Sequence, residues 1–226
     1  FVHDRNIALP ADADPGLEDF LVEMTAGVVS ADLDADGHAD LLFTQLGGSP
    51  ELYWGRGDGS FSGPDADAFA APVPGLGSAA SAADFDGDGL LDLALGALGR
   101  VLLLHNLGDR GFEDVTEQLG FTQHPGIVAS LTWADPDQDG DLDLFVGRHV
   151  IRGNPFIGDI TPGLSQLWRN EVGGFSDGTA SLNYPGGDGG VALHARWSDV
   201  DGDGDVDLVQ ANDLGPWHLN SMLLEN

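Results

Sequence analysis

Four short stretches of this chain concentrate residues that could hold a hard cation. The first reads Asp32-Leu33-Asp34-Ala35-Asp36-Gly37-His38-Ala39-Asp40-Leu41, and the second Asp84-Phe85-Asp86-Gly87-Asp88-Gly89-Leu90-Leu91-Asp92-Leu93. The third is Asp135-Pro136-Asp137-Gln138-Asp139-Gly140-Asp141-Leu142-Asp143-Leu144, and the fourth Asp199-Val200-Asp201-Gly202-Asp203-Gly204-Asp205-Val206-Asp207-Leu208. All four fit D-x-D-x-D-G-x-x-D-L without a gap. Asp at positions one, three and five of a tight loop can turn three carboxylates onto one centre, and the glycine at six permits the sharp turn. A fourth Asp at nine and the carbonyl of position seven (His38, Leu90, Asp141 and Asp205) are the remaining expected ligands. Several anionic oxygen donors on a flexible loop suit Ca²⁺ better than Mg²⁺, which demands a stricter octahedron and retains more water. No Cys occurs, and no His stands at positions one, three, five or nine, so zinc and copper are excluded from the expectation. Four Ca²⁺ sites are therefore expected. An EF-hand is excluded, because position twelve carries Phe43, Leu95, Val146 and Gln210 in place of its bidentate Glu.

The loops recur 52, 51 and 64 residues apart along 226 residues. A repeat of this length needs about four strands per unit, with the loop between strands one and two. In the second unit Ser78–Ala83 reads as strand one and Leu91–Leu95 as strand two. Arg100–His105 reads as strand three and, after a Gly-containing turn, Phe112–Thr116 as strand four. Glu51–Trp54 and Gln166–Asn170 align as third strands. The expected fold is all-β, a propeller of about four blades of four antiparallel strands in one domain spanning 1–226. Its units run roughly over 10–63, 64–118, 119–180 and 181–226 plus 1–9. The extra length of the third unit falls at Val150–Ser165, expected as a long loop on the face away from the metals, with a smaller share at Ala180–Gly190. The last unit stops near a third strand at Met222–Asn226, while Phe1–Leu9 resembles an unaccompanied fourth strand. The N-terminal segment is expected to complete the last blade and close a ring, which favours a monomer; the alternatives are exchange of these strands between two chains, or a sequence that is part of a longer propeller.

The units resemble FG-GAP repeats, also called VCBS repeats, as found in the propeller of integrin α subunits and in many bacterial surface and secreted proteins. The four Asp loops, the Leu after each, and third-strand endings such as Leu167-Trp168-Arg169-Asn170 carry the resemblance. It implies structural Ca²⁺ between strands one and two, binding through the opposite face, and an extracellular or cell-surface location. Integrin propellers have seven blades, whereas four motifs occur here. The function implied is a non-catalytic adhesion or protein-binding module. The alternative is a carbohydrate-binding propeller, or the accessory propeller of a secreted hydrolase or lyase.

Composition narrows the partners. The formal charge is −30, from 38 acidic residues against 8 Arg and no Lys. Such a field repels a phosphate backbone, so the expected partner is a protein or glycan, with no nucleic acid. No apolar run reaches the roughly 18 residues of a membrane span. No secretory signal is visible, and the chain opens on Phe1, as a processed N-terminus would. No nucleophile elbow or His-Glu-x-x-His occurs, the seven His are scattered, and no catalytic residues or organic cofactor are expected. Arg56-Gly57-Asp58 occupies the same slot as Leu107-Gly108-Asp109 and reads as a repeat turn. Trp54, Trp133, Trp168, Trp197 and Trp217 fall on or near matched strand positions and read as packing residues.

Overall fold

The computed structural model describes residues 27–45, 48–71, 73, 77–154, 159–184, 190–213 and 221–225. The chain is an all-β propeller, as the repeat spacing predicts. The first sheet is β1 (Val28–Ala31), β2 (Asp40–Phe43), β3 (Glu51–Gly55) and β4 (Phe61–Ser62), hydrogen-bonded in that order. The second repeats the pattern with β5 (Ala79–Ala83), β6 (Asp92–Ala97), β7 (Arg100–Asn106) and β8 (Phe112–Asp114). The third begins with β9 (Val128–Ala134) and β10 (Asp143–Arg148). A separate hairpin of β11 (Val150–Asn154) and β12 (Asp159–Pro162) then intervenes, before β13 (Gln166–Glu171) and β14 (Gly174–Asp177) complete that sheet. The fourth shows β15 (Ala192–Ser198), β16 (Asp207–Asn212) and β17 (Met222–Leu224). Strand pairings within the sheets are antiparallel among the described residues. Among the described residues the one helical element in the sheet order is a 3-10 turn at Thr179–Leu182. No helix there is long and apolar enough to cross a membrane.

Alternation along the second strands explains how the blades stack. In β6, Leu93 and Leu95 pack with Val29, Leu42, Leu52 and Trp54 of the first sheet. Ala94 between them faces Val128, Leu144 and Val146 of the third. In β10 the same period turns Leu144 and Val146 back toward the second sheet and Phe145 forward onto Ala195 and Leu208 of the fourth. β6 and β10 are consequently buried at every position, whereas β2 and β16 carry exposed residues. First strands contact their successors in the order β1, β5, β9, β15, and no comparable packing joins β15 to β1 among the described residues. Polar links accompany this packing: Ser78 Oγ donates to the Val128 carbonyl at 2.6 Å, and Ser130 Oγ accepts from the Ala195 amide at 3.0 Å.

Two expectations need comment. Val150–Ser165 is largely a paired hairpin with a register shift between Val150 and Arg152, where a loop was expected. Its alternating ends allow the backbone to satisfy itself as a ladder, which a long unpaired loop could not do. The closing strand expected at Phe1–Leu9 lies outside the described residues, as does Trp217. The other tryptophans pack as expected. Trp133 stacks on Phe85 with centroids 5.9 Å apart, Trp168 on Phe121 at 4.1 Å, and Trp197 meets Phe145 edge-on at 6.4 Å.

Candidate metal centres

Each Asp loop joins the first strand of a sheet to the second. The glycine at position six has φ of +89° at Gly37, +92° at Gly89, +102° at Gly140 and +103° at Gly204, which an L side chain rarely adopts. Position four is also left-handed, filled by Gly87 and Gly202 in two loops but by Ala35 (φ +58°) and Gln138 (φ +59°) in the others.

The first Asp caps the turn. Asp32 accepts from the amides of Asp36 and Gly37 at 3.0 and 2.9 Å, and Asp135 from those of Asp139 and Gly140 at 3.1 and 3.0 Å. Asp84 takes Gly87, Asp88 and Gly89, and Asp199 takes Gly202. The fifth-position Asp accepts from the amide of position seven: Asp36 from His38, Asp88 from Leu90, Asp139 from Asp141 and Asp203 from Asp205. These bonds aim the side chains inward. In every loop, one oxygen from each of positions one, three and five lies within 4.8 Å of the others: Asp32, Asp34 and Asp36; Asp84, Asp86 and Asp88; Asp135, Asp137 and Asp139; Asp199, Asp201 and Asp203. Three hard anionic donors so close, in a turn with a permissive glycine, fit a Ca²⁺-sized ion.

The ninth-position residues stand apart from these clusters. Asp40, Asp92, Asp143 and Asp207 are buried at the start of the second strand. Asp40 accepts from the amides of Leu33 and Gly55, both at 2.8 Å, and Asp92 from Phe85 at 3.2 Å and Asn106 at 2.8 Å. Each ties its loop to the end of the third strand. Asp207 accepts from Val200 at 2.9 Å. Asp143 accepts from Asn170 at 2.8 Å, but its second position is Pro136, which has no N–H, and its Oδ2 lacks a hydrogen bond. Burial pushes Asp40 above the usual carboxylate range and lifts Asp92 and Asp143 to about 6, against the opposing pull of their amide donors.

Basic side chains enter three of the loops at position three. Arg110, from the turn after β7, donates from Nε to Asp34 at 2.8 Å and lies 4.9 Å over the Trp54 ring. His105 Nδ1 lies 3.0 Å from Asp86 and 3.3 Å from Asp92, which joins Asp92 to a cluster with them. Arg169 pairs with Asp137 and approaches Asp143 at 3.5 Å. Among the described residues no ion pair of this kind reaches Asp201. In that loop Asp205 is raised by its bond to Asp203, and Asp203 is lowered by the Asp205 amide.

Sequence reasoning missed these basic side chains and a clamp between blades. Asn106 ends the third strand of the second sheet, and its Nδ2 donates to the Leu33 carbonyl of the preceding loop at 2.8 Å and to Leu91 at 2.9 Å. Asn170 does the same to the Phe85 carbonyl at 2.6 Å. The matched Asn at the end of Leu-His-Asn106 and Trp-Arg-Asn170 is the signal that could have revealed it.

Fold and loops together define a β-propeller built on Asp-loop repeats. The FG-GAP-like repeat model matches residues 32–95 and 84–146, just over half of the chain, and the protein belongs to that family. No curated protein sequence matches it. Among solved structures, it is similar to a lectin of Agrocybe aegerita described as recognising non-reducing terminal N-acetylglucosamine, with 18% identity and a TM-score of 0.51 over 83% of this chain and 47% of that one. The Tc holotoxin pore of Photorhabdus luminescens is similar at 22% identity and a TM-score of 0.44, over 87% of this chain and 9% of that one. The chain thus spans about half the length of the lectin.

Proposed function

We propose that this protein is a Ca²⁺-stapled, non-catalytic binding propeller that works outside the cell. The observation that supports it most is the fourfold convergence of Asp carboxylates at positions one, three and five. Each ion would be held by those three residues, by the carbonyl of position seven and by the ninth-position Asp, and would join strand one to strand two. It would supply charge neutralisation within the turn. Extracellular Ca²⁺ modules work at 10⁻⁴–10⁻³ M, a level that suits loops sharing charge with Arg110 and Arg169. The ligand would be a protein or glycan. The fold likeness to a lectin favours the glycan, making terminal N-acetylglucosamine the first sugar to test. Isothermal titration of the chelated chain should give about four Ca²⁺ per molecule and weaker Mg²⁺ binding; absence of saturable Ca²⁺ binding would overturn the metal reading. A glycan array and a surface-protein pull-down, each with and without Ca²⁺, then separate the two ligand classes.

A further inference from the structure

The second sheet carries an open cleft of about 350 Å³ beside the first half of β7, at the end away from its Asp loop. Leu102 and Phe121, each 4% exposed, supply its apolar lining. Arg100, Asp114, Glu117 and Gln118 line the rest and are exposed to solvent. The volume falls at the low end of small-molecule sites, about 300–1,000 Å³. A cleft of about 410 Å³ stands at the matching place in the first sheet, where Glu51 takes the position of Leu102. Its charged lining is Glu51 and Asp65, with no cation, so the second sheet's cleft alone offers both signs of charge.

The backbone around this cleft is already satisfied. β8 pairs only with Leu104–Asn106, and side chains close the rest of the β7 edge. Gln123 Oε1 accepts from the Val101 amide at 2.8 Å, and Gln123 Nε2 donates to the Val101 carbonyl at 2.9 Å. Thr116 Oγ1 accepts from the Leu103 amide at 2.9 Å and donates to Asp114 Oδ1 at 2.5 Å, while the Val115 amide donates to the Leu103 carbonyl. The segment bearing Glu117 and Gln118 also bonds to itself: Leu119 donates to the Val115 carbonyl, Gly120 to Glu117 and Phe121 to Thr116. With both backbone groups of Val101 and Leu103 engaged, a peptide has no edge here to join as a further strand. By contrast, the side chains of Arg100, Glu117 and Gln118 make no hydrogen bond or ion pair with any described residue. Their polar groups face whatever enters the cleft. A polyanion would meet Asp114 and Glu117, and a cation would meet Arg100.

We propose that this cleft is a subsite for a neutral pyranose sugar. The inference rests on the glycan reading of the proposed function and gives it a place and a ligand class. A sugar hydroxyl both donates and accepts, so a neutral ring serves the carboxylates of Asp114 and Glu117 and the donors of Arg100 and Gln118 together. Its C–H groups cover Leu102 and Phe121. Because the backbone that carries these groups is already bonded, binding orders side chains only.

The test uses the full, Ca²⁺-loaded, ¹⁵N-labelled chain at constant ionic strength, titrated with N-acetylglucosamine, galactose and mannose. D-glucuronate and glucosamine are the charged counterparts, and glycerol is the control without a ring. A neutral sugar is expected to shift the Thr116–Gln123 amides and the Gln118 side-chain amide saturably, with both charged sugars weaker and glycerol without effect. Arg100→Ala and Glu117→Ala, both at exposed positions, should melt as the parent chain does and bind about tenfold more weakly, each having lost a hydrogen bond to a charged group. The same variants are compared on a glycan array, where loss of a parent-chain signal in both supports the subsite. A glycan signal that both variants retain would overturn the subsite and leave the glycan reading standing. Shifts confined to Ser49–Asp65, or tighter binding of glucuronate or glucosamine than of every neutral sugar, would also overturn it. No binding of any sugar, in titration or on the array, would overturn subsite and glycan reading together. Chelator melting reads the metal loops separately, so failure here leaves the Ca²⁺ reading standing.

Discussion

Removing the proposed Ca²⁺ ions is the perturbation to which this architecture should be most sensitive. Twelve carboxylates are gathered in four clusters, each with its ligand oxygens within 4.8 Å of one another. Four Ca²⁺ would add eight positive charges and move the formal charge from −30 to about −22. A ligand at one hundred times its dissociation constant stabilises by about 2.7 kcal/mol, so four such sites would supply on the order of 11 kcal/mol. That equals the whole stability of a typical domain, roughly 5–15 kcal/mol. For a chain of this size each kcal/mol moves the melting temperature by about 2–4 °C, so full chelation should lower it by roughly 20–40 °C and loss of one site by about 5–10 °C. Differential scanning calorimetry in millimolar Ca²⁺, millimolar Mg²⁺ and excess chelator measures this directly. Asp86→Ala and Asp201→Ala, one loop at a time, should each remove part of the Ca²⁺ response. The loops should not fail together. Arg110 and Arg169 partly replace the proposed cation at Asp34 and Asp137, whereas Asp201 has no such ion pair among the described residues. After chelation, hydrogen exchange should therefore accelerate first across Asp199–Asp207. Equal melting in chelator and in millimolar Ca²⁺ would refute the reasoning, because the loops would then be acidic turns stable on their own hydrogen bonds.

Acidity should act with opposite signs on the two forms. In the chelated chain Asp92 and Asp143 sit at about 6 against an unfolded value of 3.8, so the native state holds their protons more tightly. Their stabilising effect is complete below pH 3.8 and lost as pH rises through about 6; melting should therefore rise on going from pH 7 to pH 4, whereas in Ca²⁺ the same change should lower it as protons displace the ion. Asn106→Ala and Asn170→Ala should each destabilise by about 1–3 kcal/mol in urea melts, by stranding the Leu33 and Phe85 carbonyls between blades. Gln138→Gly and Ala35→Gly should stabilise by up to about 1 kcal/mol, because a left-handed residue at position four strains an L side chain. Sedimentation in Ca²⁺ is expected to give the mass of one chain. A stable dimer would instead point to the exposed faces carrying Val28 and Phe43 on the first sheet and Val209 and Leu223 on the fourth.

The sequence by itself determined what is local. Alternate Asp residues followed by Gly specify a loop whose side chains bond amides two to five residues away, and those bonds gather positions one, three and five wherever the loop is placed. The strand pattern is local too, since period-two alternation in Leu93–Leu95 and Leu144–Val146 assigns residues to the two faces of a sheet. What the tertiary structure decided lies between segments far apart in the chain. Arg110 reaches Asp34 across 76 positions and Asn170 reaches Phe85 across 85, pairings that exist only because successive blades stack with one register. The ninth-position Asp shows the same division. Its spacing marks it as a ligand, and its burial against the third strand adds bonds from the amides of Gly55, Asn106 and Asn170 that the spacing does not show. The complete burial of Arg148 was invisible for a related reason: nothing in its neighbours distinguishes an exposed cation from a buried one. Its burial follows from the position of β10 between two sheets, with the added hairpin after its end, and no short-range rule encodes that enclosure.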